Sequence, residues 1–143
     1  MLSNSSKYAL KGVLYLAVNA SESNKILAKD VAKPINAPVA YTAKLLQELG
    51  RHGIVSSVKG PYGGFYLTEE NMETRLIKIV DVIDGEQRLR SCMLSISECD
   101  DDNPCPLHHL IGDIKNTFIK NLEETTISQM VAEIGKGKCV LPL

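Results

Sequence analysis

The stretch KGPYGG, residues 59–64, constrains the fold more than any other part of this 143-residue chain. Its glycines permit backbone angles that other residues avoid, and its proline fixes its own angle, so the stretch favours a tight, stiff turn. Residues typical of strands flank it on both sides, IVSSV (54–58) and FYLT (65–68). The pattern predicts a β-hairpin. We name residues 59–64 the wing turn.

Two helices are predicted before the hairpin. A short helix covers about residues 28–33, with Val31 and Ala32 facing inward, and Pro34 ends it because proline interrupts the helical hydrogen bonds. A second helix follows, with Asn36 as its predicted cap. Its core-facing stripe consists of Thr42, Leu45, Leu46 and Leu49. A short helix, a tight turn and a second helix match a helix-turn-helix, and a hairpin directly after it matches the wing of a winged helix.

The distribution of charge indicates a polyanionic partner for the first half of the chain. Residues 1–68 contain eight Lys and Arg but three Asp and Glu, whereas residues 69–143 contain eight and fourteen. A basic half suits nucleic acid, although random variation also produces such splits.

Lysine contacts to phosphate supply affinity and not sequence choice. The candidate DNA contacts on the second helix and the wing are Tyr41, Lys44, Lys59, Gly60, Tyr62 and Gly63. A plain hairpin with a solvated lysine is the alternative.

The remaining chain is also predicted to be mainly helical. Residues 5–19 and 74–84 have helical apolar spacing, and Gly85 ends the second of these segments. A helix of about twenty residues is predicted to start near Pro104, and Thr126-Ile-Ser-Gln129 is typical of a capping box opening a last short helix. The stripe of the long helix is Leu107, Leu110, Ile111, Ile114, Phe118 and Leu122. It has no obvious partner in so small a domain, so we expect it to pair with a second subunit or, alternatively, to pack back on the winged helix.

The predicted fold is mainly α with a small β-hairpin: a winged helix-turn-helix plus a long C-terminal dimerisation helix. Residues 1–85 form the predicted DNA-binding domain, residues 86–106 a cysteine-bearing sensor loop, and residues 107–143 the dimerisation helix and tail.

No apolar run approaches the roughly 20 residues that span a bilayer, and the N-terminal segment lacks a clear cleavage site. These features favour a cytoplasmic protein with no membrane partner. An enzyme is disfavoured because phosphate-loop, nucleophile-elbow, HExxH and Cys-x-x-Cys motifs are missing.

Three of the four cysteines lie in an acidic, loop-like stretch that is a poor candidate for a core: Cys92, Cys99 and Cys105. Thiolates bind soft metals and clusters, but three thiolates do not complete an iron–sulfur site. His108 follows Cys105 by three residues, so both lie on one face if the helix has begun there. A structural zinc site, a thiol–disulfide switch, which the acids beside Cys99 disfavour, and cysteines without function remain open alternatives.

Several segments together resemble the IscR/NsrR family of bacterial winged-helix regulators, the Rrf-two superfamily. They are SSKYALKGVLYLA, GIVSSVKGPYGGFYLT, IKIVDVIDG and the three downstream cysteines, and the resemblance runs from about Leu2 to Glu133. It implies a cytoplasmic homodimer that binds double-stranded DNA with two-fold symmetry. It also implies redox-sensitive transcription regulation through an iron–sulfur cluster, with a two-iron cluster favoured, on the three cysteines.

The resemblance also bears on the fourth ligand. In the iron–sulfur-biogenesis regulator of the family, a histidine placed like His108 is a ligand, whereas the nitric-oxide-sensing branch uses an acidic residue where this chain has Lys7. The expected metal ligands are therefore Cys92, Cys99, Cys105 and His108. The chain departs from the family in having Lys59 and Tyr62 in the wing turn, and cysteine gaps of six and then five residues. Regulators of the family that sense through a partner enzyme are a further alternative.

Overall fold

The computed structural model describes residues 2–94 and 97–143, so Met1, and Ser95 and Ile96 of the predicted sensor loop, lie outside the described residues. The prediction of a mainly helical chain with one small hairpin is confirmed. The elements are α1 (Asn4–Asn19), α2 (Ala28–Ala32), α3 (Val39–Arg51), β1 (Ser56–Val58), β2 (Gly64–Tyr66), α4 (Glu69–Met72), α5 (Leu76–Asp84), α6 (Gln87–Arg90), α7 (His108–Glu124) and α8 (Ile127–Gly135).

One hydrophobic core joins the N-terminal helices, the segment after α3 and the two last helices. Helix α1 lies at its centre and contacts α3, α5 and α8. Burial of each large apolar side chain contributes roughly 1.5–3 kcal/mol, which makes this core the main source of stability. The fully buried side chains include Val13, Leu16, Val31, Ile35, Leu46, Leu49, Ile54, Ile79, Val80 and Ile127.

The helix-turn-helix is confirmed, with one correction at the turn. Val31, Ala32 and the four residues of the predicted α3 stripe are buried. Asn36, however, is not the cap of α3: it has a φ of 55° and lies in the turn before it. Pro38 holds the N-cap position with extended backbone, and the Thr42 hydroxyl donates to its carbonyl at 2.9 Å. A side chain that tolerates left-handed backbone suited the turn more than the cap.

The hairpin is shorter than predicted and is joined to the helix-turn-helix. The register pairs Ser56 with Tyr66 and Val58 with Gly64 in antiparallel orientation. Ile26, which precedes α2, exchanges two backbone hydrogen bonds with Phe65, of 3.0 and 2.8 Å. The wing is therefore fixed to the N-terminal side of the helix-turn-helix as well as to α3.

The end of α7 is tied to the beginning of α5. The Leu76 amide donates to the Thr125 carbonyl at 2.9 Å, and the Ile127 amide donates to the Thr74 carbonyl at 3.0 Å. The predicted capping box of α8 is confirmed, since Thr126 exchanges hydrogen bonds with the residue three positions later. Gly85 ends α5 as predicted, with a φ of 87°.

Helix α7 begins at His108, four residues later than the prediction of a start near Pro104. Its apolar residues also divide into two groups. Ile111 and Phe118 are half-buried and Leu122 is buried, on the face turned toward the protein. Leu110 and Ile114 are 68% and 63% exposed. Across residues 2–94 and 97–143, no helix combines the length and apolarity needed to cross a membrane.

Candidate functional site

The exposed side of α3 presents a lysine and a glutamine, whose side chains can bond base edges or phosphates, beside a small alanine. Lys44 is exposed, as are Ala40 and Gln47. Tyr41 is half-buried: its ring meets the ring of Tyr8 edge to face, with centroids 6.0 Å apart at 86°, and its hydroxyl is hydrogen-bonded to Ser5. The structure therefore ties Tyr41 to α1, and Lys44 is the candidate contact on α3 that is free to reach a phosphate.

The wing turn separates exposed side chains from backbone that shapes the turn. Lys59, Gly60 and Tyr62 are exposed, and Tyr62 has 95% of its surface accessible. Gly63 is buried, and a Cβ there would lie 2.0 Å from the Val58 carbonyl oxygen. Its amide donates to the Gly60 carbonyl at 2.9 Å. The geometry gives Gly63 a structural role in the turn and leaves Lys59 and Tyr62 as side chains that can approach DNA.

A hydrogen-bonded clamp, which the sequence analysis missed, connects the first turn of α1 to the end of α5. Asp84 accepts hydrogen bonds from the Ser3 hydroxyl at 2.5 Å and from the Ser6 hydroxyl at 2.7 Å. Ser6 is fully buried. The neighbouring Ser5 is hydrogen-bonded to Tyr41 of α3, so one helical turn contacts both α5 and α3, which is the second, or recognition, helix of the helix-turn-helix.

Three of the four predicted metal ligands line one small cavity. Cys99, Cys105 and His108 face a cavity of about 10 Å³, which is at the lower limit of the space that one water molecule needs. Cys92 is not among the lining residues; its amide donates to the Ser97 carbonyl at 2.7 Å, beside the bridge between Ser91 and Glu98. The remaining lining comes from Met93, Leu107, Ile111, Gly112 and Lys115.

His108 opens α7 beside an aspartate of the loop. Its Nε2 lies 3.1 Å from Asp101 Oδ1, and its ring packs over Gly112, where a Cβ would come within 3.6 Å of the same nitrogen. The imidazole is about four-fifths buried, whereas Asp101 is 91% exposed. A Cβ at that distance would only be in ordinary van der Waals contact, so the position of the ring does not depend on glycine at residue 112.

Lys115 is the functional candidate that the sequence analysis missed. It is 6% exposed, and its Nζ donates to Cys99 Sγ at 2.8 Å and to the carbonyls of Arg90 and Ser91 at 3.1 and 3.2 Å. The sequence did contain a sign of it, because Lys115 occupies the inward helical position between Ile111 and the buried end of the α7 stripe. A lysine at a core-facing position needs buried acceptors.

Asp100 organises the acidic part of the loop. The Asn103 side-chain amide donates to it at 3.1 Å, and the amides of Asp102 and Asn103 donate at 2.9 and 3.2 Å. These hydrogen bonds, that of the Asn103 side chain first, hold the pKa of Asp100 below its usual value of 3.8 because they favour the carboxylate. The stretch is therefore an ordered turn.

The chemistry of the four predicted ligands suits a soft metal centre, but in the described conformation their side chains do not surround a common point. Within the described ranges, no group of three or more His, Cys, Asp or Glu side chains is close enough to hold a metal ion. Three thiols and an imidazole are nevertheless ligands that iron–sulfur clusters and zinc accept, and three of these four side chains already share a cavity. Binding would require the cavity to widen and Cys92 to approach it.

Residues 2–133 match the family described as "Rrf2: Iron-dependent Transcriptional regulator". The chain belongs to the Rrf2 family. Its relatives include a putative HTH-type transcriptional regulator of Aquifex aeolicus, 32% identical over 92% of this chain and 91% of the relative. The HTH-type transcriptional regulator IscR of Escherichia coli O1:K1 is 25% identical over 91% of this chain and 79% of the relative. The Rrf2 match identifies a DNA-binding transcriptional regulator, in a family whose members are not enzymes.

Two solved structures of CymR proteins share the fold. The structure of CymR, described as the global cysteine regulator of B. subtilis, has a TM-score of 0.73, with 23% identity over 92% of this chain and 96% of that one. An oxidised form of Staphylococcus aureus CymR has a TM-score of 0.69, with 21% identity over 92% and 95%. The winged helix and the helices that follow it are therefore common to this chain and those regulators.

Proposed function

We propose that this Rrf2 protein is a homodimeric regulator whose affinity for DNA is set by an iron–sulfur cluster bound by Cys92, Cys99, Cys105 and His108. The observation that carries the proposal is the cavity shared by Cys99, Cys105 and His108 at the first turn of α7. Bound there, a cluster would supply a one-electron redox centre with an iron–sulfur core open to attack by small oxidants.

The DNA-binding surface in this proposal is the exposed side of α3 together with the wing turn. Lys44 would neutralise backbone phosphates from the major groove side, while Lys59 and Tyr62 would contact the flanking backbone or the minor groove. Ala40 and Ala43 beside Lys44 have no group that bonds a base edge, which favours a contribution from DNA shape besides direct contacts. Two recognition helices in one dimer would require half-sites about one helical turn apart.

The exposed apolar residues of α7 support the dimer. Leu110 and Ile114 are one helical turn apart and are both more than three-fifths exposed, which is unusual for large aliphatic side chains on the same helix face. A second copy of α7 would cover both. Replacing Leu110 with glutamate should then convert a dimer into a monomer in sedimentation, whereas Asn116→Glu, at an exposed position on another side of the same helix, should leave the dimer intact.

The sensor loop would act through its position in the chain. It connects α5, whose last residue Asp84 is clamped to α1, with α7, the proposed dimerisation helix. Drawing Cys92 toward Cys99 and Cys105 would change how α6 and the loop lie against α7. The spacing of the two winged helices in a dimer would change with it.

Thiol oxidation is a second candidate, and two observations favour it. Cys99 and Cys105 line the same cavity, and an oxidised form is described for the structurally similar S. aureus CymR. In that case, oxidation of Cys99 would replace cluster binding as the event that alters the loop. Zinc binding and sensing through a partner protein would each give a different result in the experiment described next.

The test is anaerobic purification followed by a visible absorption spectrum, with iron, zinc and acid-labile sulfide measured on the same sample. Matched iron and sulfide with charge-transfer absorption is the expected result, together with DNA affinity that differs between the loaded and cofactor-free protein. Cys105→Ser should abolish cluster uptake. Cys139→Ser, in the exposed tail, is the matched control and should take up the cluster normally.

Other results would separate the alternatives. A colourless protein that resists reconstitution contradicts the cluster. Stoichiometric zinc without sulfide would indicate a structural zinc site. In protein that holds neither cluster nor zinc, peroxide-dependent DNA release that disappears in Cys99→Ser would indicate a thiol switch. DNA affinity that is unaffected by every cysteine substitution would favour a partner protein as the sensor.

A further inference from the structure

Lys115 is buried, and its surroundings provide a hydrogen-bond acceptor for each of its three N–H donors but, in the part of the chain that the structure describes, no carboxylate to balance its charge. A lysine ammonium has three N–H donors. Lys115 has three acceptors, which are the Arg90 and Ser91 carbonyls and Cys99 Sγ. Among the described residues, the ion pairs of this structure do not include Lys115. A buried charge without a counter-charge is costly, so its retention at this position calls for an explanation.

The sulfur is the acceptor that distinguishes this site. Of the three acceptors, only Cys99 Sγ belongs to a side chain that can bear negative charge, as a thiolate bound to metal. The two carbonyls come from the last turn of α6 and the residue after it, so they locate the ammonium at the point where α6, the loop and α7 meet. Lys115 thereby joins Cys99 to both helices.

We propose that Lys115 is the positioning residue of the cysteine site: it holds Cys99 against α6 and α7 in the cofactor-free protein and provides the counter-charge for a cluster bound through Cys99. This inference rests on the proposed function for its second half, while the first half concerns the protein without a cofactor. Lys115 is not itself a ligand, because its ammonium has no lone pair to donate.

The electrostatic consequence follows from the charges. A cluster bound by three thiolates and an imidazole carries net negative charge, and adding an electron makes it more negative. A fixed ammonium beside one ligand sulfur favours the reduced form and so raises the reduction potential. The electron would come from an external one-electron donor such as dithionite. Removal of the Lys115 charge should therefore make the cluster harder to reduce.

The first arm of the test uses cofactor-free protein and hydrogen exchange read by mass spectrometry. Lys115→Met keeps the length and apolar stem but removes the donors. The amide of Cys92, which is bonded to Ser97 beside the Lys115 anchor points, should exchange at least threefold faster, as should the segment around Cys99. Lys120→Met is the matched control, because Lys120 is 71% exposed on the same helix, and its loop should exchange as in the wild type.

The second arm measures the midpoint potential of the reconstituted cluster by reductive titration. The expected order, from the highest potential to the lowest, is wild type, Lys115→Arg and Lys115→Met, with Lys120→Met equal to the wild type. Loop exchange and potential that are both unchanged in Lys115→Met would overturn the proposal. If Lys115→Met does not fold, Lys115→Gln makes the same comparison with a neutral donor in place of the charge.

Failure of the two proposals can be told apart. If the wild type takes up no cluster, the proposed function fails, and the hydrogen-exchange arm alone decides whether Lys115 positions Cys99. If the wild type takes up a cluster and Lys115→Met matches it in both arms, only the Lys115 proposal fails.

Discussion

The wing turn and the sensor loop are both rich in turn-forming residues, yet they are held in different ways. The wing turn is fixed by backbone contacts: Gly63 fits beneath the Val58 carbonyl, and Gly64, with a φ of 144°, lies so close to Ile26 that a Cβ would come within 2.8 Å of that backbone. The sensor loop is instead held by side chains, through Lys115 on Cys99, Asp101 on His108 and the Asp100 turn.

This difference indicates which of the two segments can change conformation when pH, metal or oxidant changes. Backbone contacts of a glycine turn contain no group that titrates, binds metal or is oxidised, so we expect the shape of the wing turn to be independent of pH, metal and oxidant. The exposed contacts of the loop, those of Asp101 and Asp100, can be exchanged for others at little cost, since exposed pairs contribute only about 0–1 kcal/mol each, whereas the Lys115 contact is buried. The wing turn and the proposed sensor loop are thus built from different kinds of contact.

The strongest way to break this comparison is to crowd the wing turn. Gly63→Ala should unfold the wing because its Cβ would overlap the Val58 carbonyl, at a cost of roughly 2 kcal/mol or more. Specific DNA affinity should fall at least about tenfold, which corresponds to about 1.4 kcal/mol. Thermal unfolding and fluorescence anisotropy with a labelled duplex measure the two effects.

Gly60→Ala is the control for that change. Gly60 has a φ of 102° but nothing within 4 Å of an added Cβ, so only backbone strain of about 1–2 kcal/mol applies. Equal losses from both substitutions would show that strain, not close approach, fixes the turn.

A smaller effect is expected when the wing keeps its shape and loses a charge. Lys59→Gln should weaken binding to all duplex sequences alike and lower the slope of log affinity against log salt by about one for each phosphate that the wing no longer neutralises. The salt series measures it, with Lys78→Gln on the acidic half as the control. A loss confined to one DNA sequence would mean that Lys59 reads bases.

The sensor loop should respond much less in stability. Asp101→Asn removes the pair with His108, and because Asp101 is 91% exposed, the free energy of unfolding of the cofactor-free protein should change by less than about 0.5 kcal/mol. Urea denaturation measures it, with the exposed Asp102→Asn as a matched change. A loss above about 1 kcal/mol would place this loop among the rigid parts of the fold, alongside the wing.

The smallest expected effect is a local one with pH in the cofactor-free protein. Because the folded pKa of Asp100 is depressed, its turn is fully formed above the usual value of 3.8 and is lost as pH falls through the lower folded value. The amide resonances of Asp102 and Asn103 should move in that range, while those of the wing turn stay unchanged. Asp100→Asn should remove the transition. Equal movement in both regions would contradict the distinction between them.

Apolar spacing and turn chemistry predicted most of the fold, because they act over a few residues. The helix-turn-helix, the hairpin, Gly85 and the capping box of α8 followed from such local patterns. The single-turn helices α4 and α6 were missed, since four residues contain too little periodicity, and Pro104 and Pro106 delayed the start of α7. Asn36 was wrongly assigned because capping and left-handed turns favour the same residue type.

The candidate site was less predictable because it depends on contacts between distant segments. The spacing of Cys105 and His108 predicted a shared helical face, but α7 begins only at His108; the two residues line one cavity although Cys105 lies in the loop before the helix. The pairing of Lys115 with Cys99, and that of Tyr41 with α1, depend on how the helices meet in three dimensions. A lysine at an inward position of α7 was the one local sign of the first pairing, and a tyrosine on α3 gave no sign of the second.

The serines at the start of α1 position two other helices, α5 and α3, relative to the same helical turn. Through Ser3 and Ser6 this turn holds Asp84, the residue from which the chain departs toward the cysteines, and through Ser5 it holds the start of the recognition helix. The origin of the cysteine segment and the surface presented to DNA are thus located within about one helical pitch, ~5.4 Å, of each other along α1. Residues 3–6 are therefore the part of the chain in which the smallest misplacement would disturb both ends of the regulator at once.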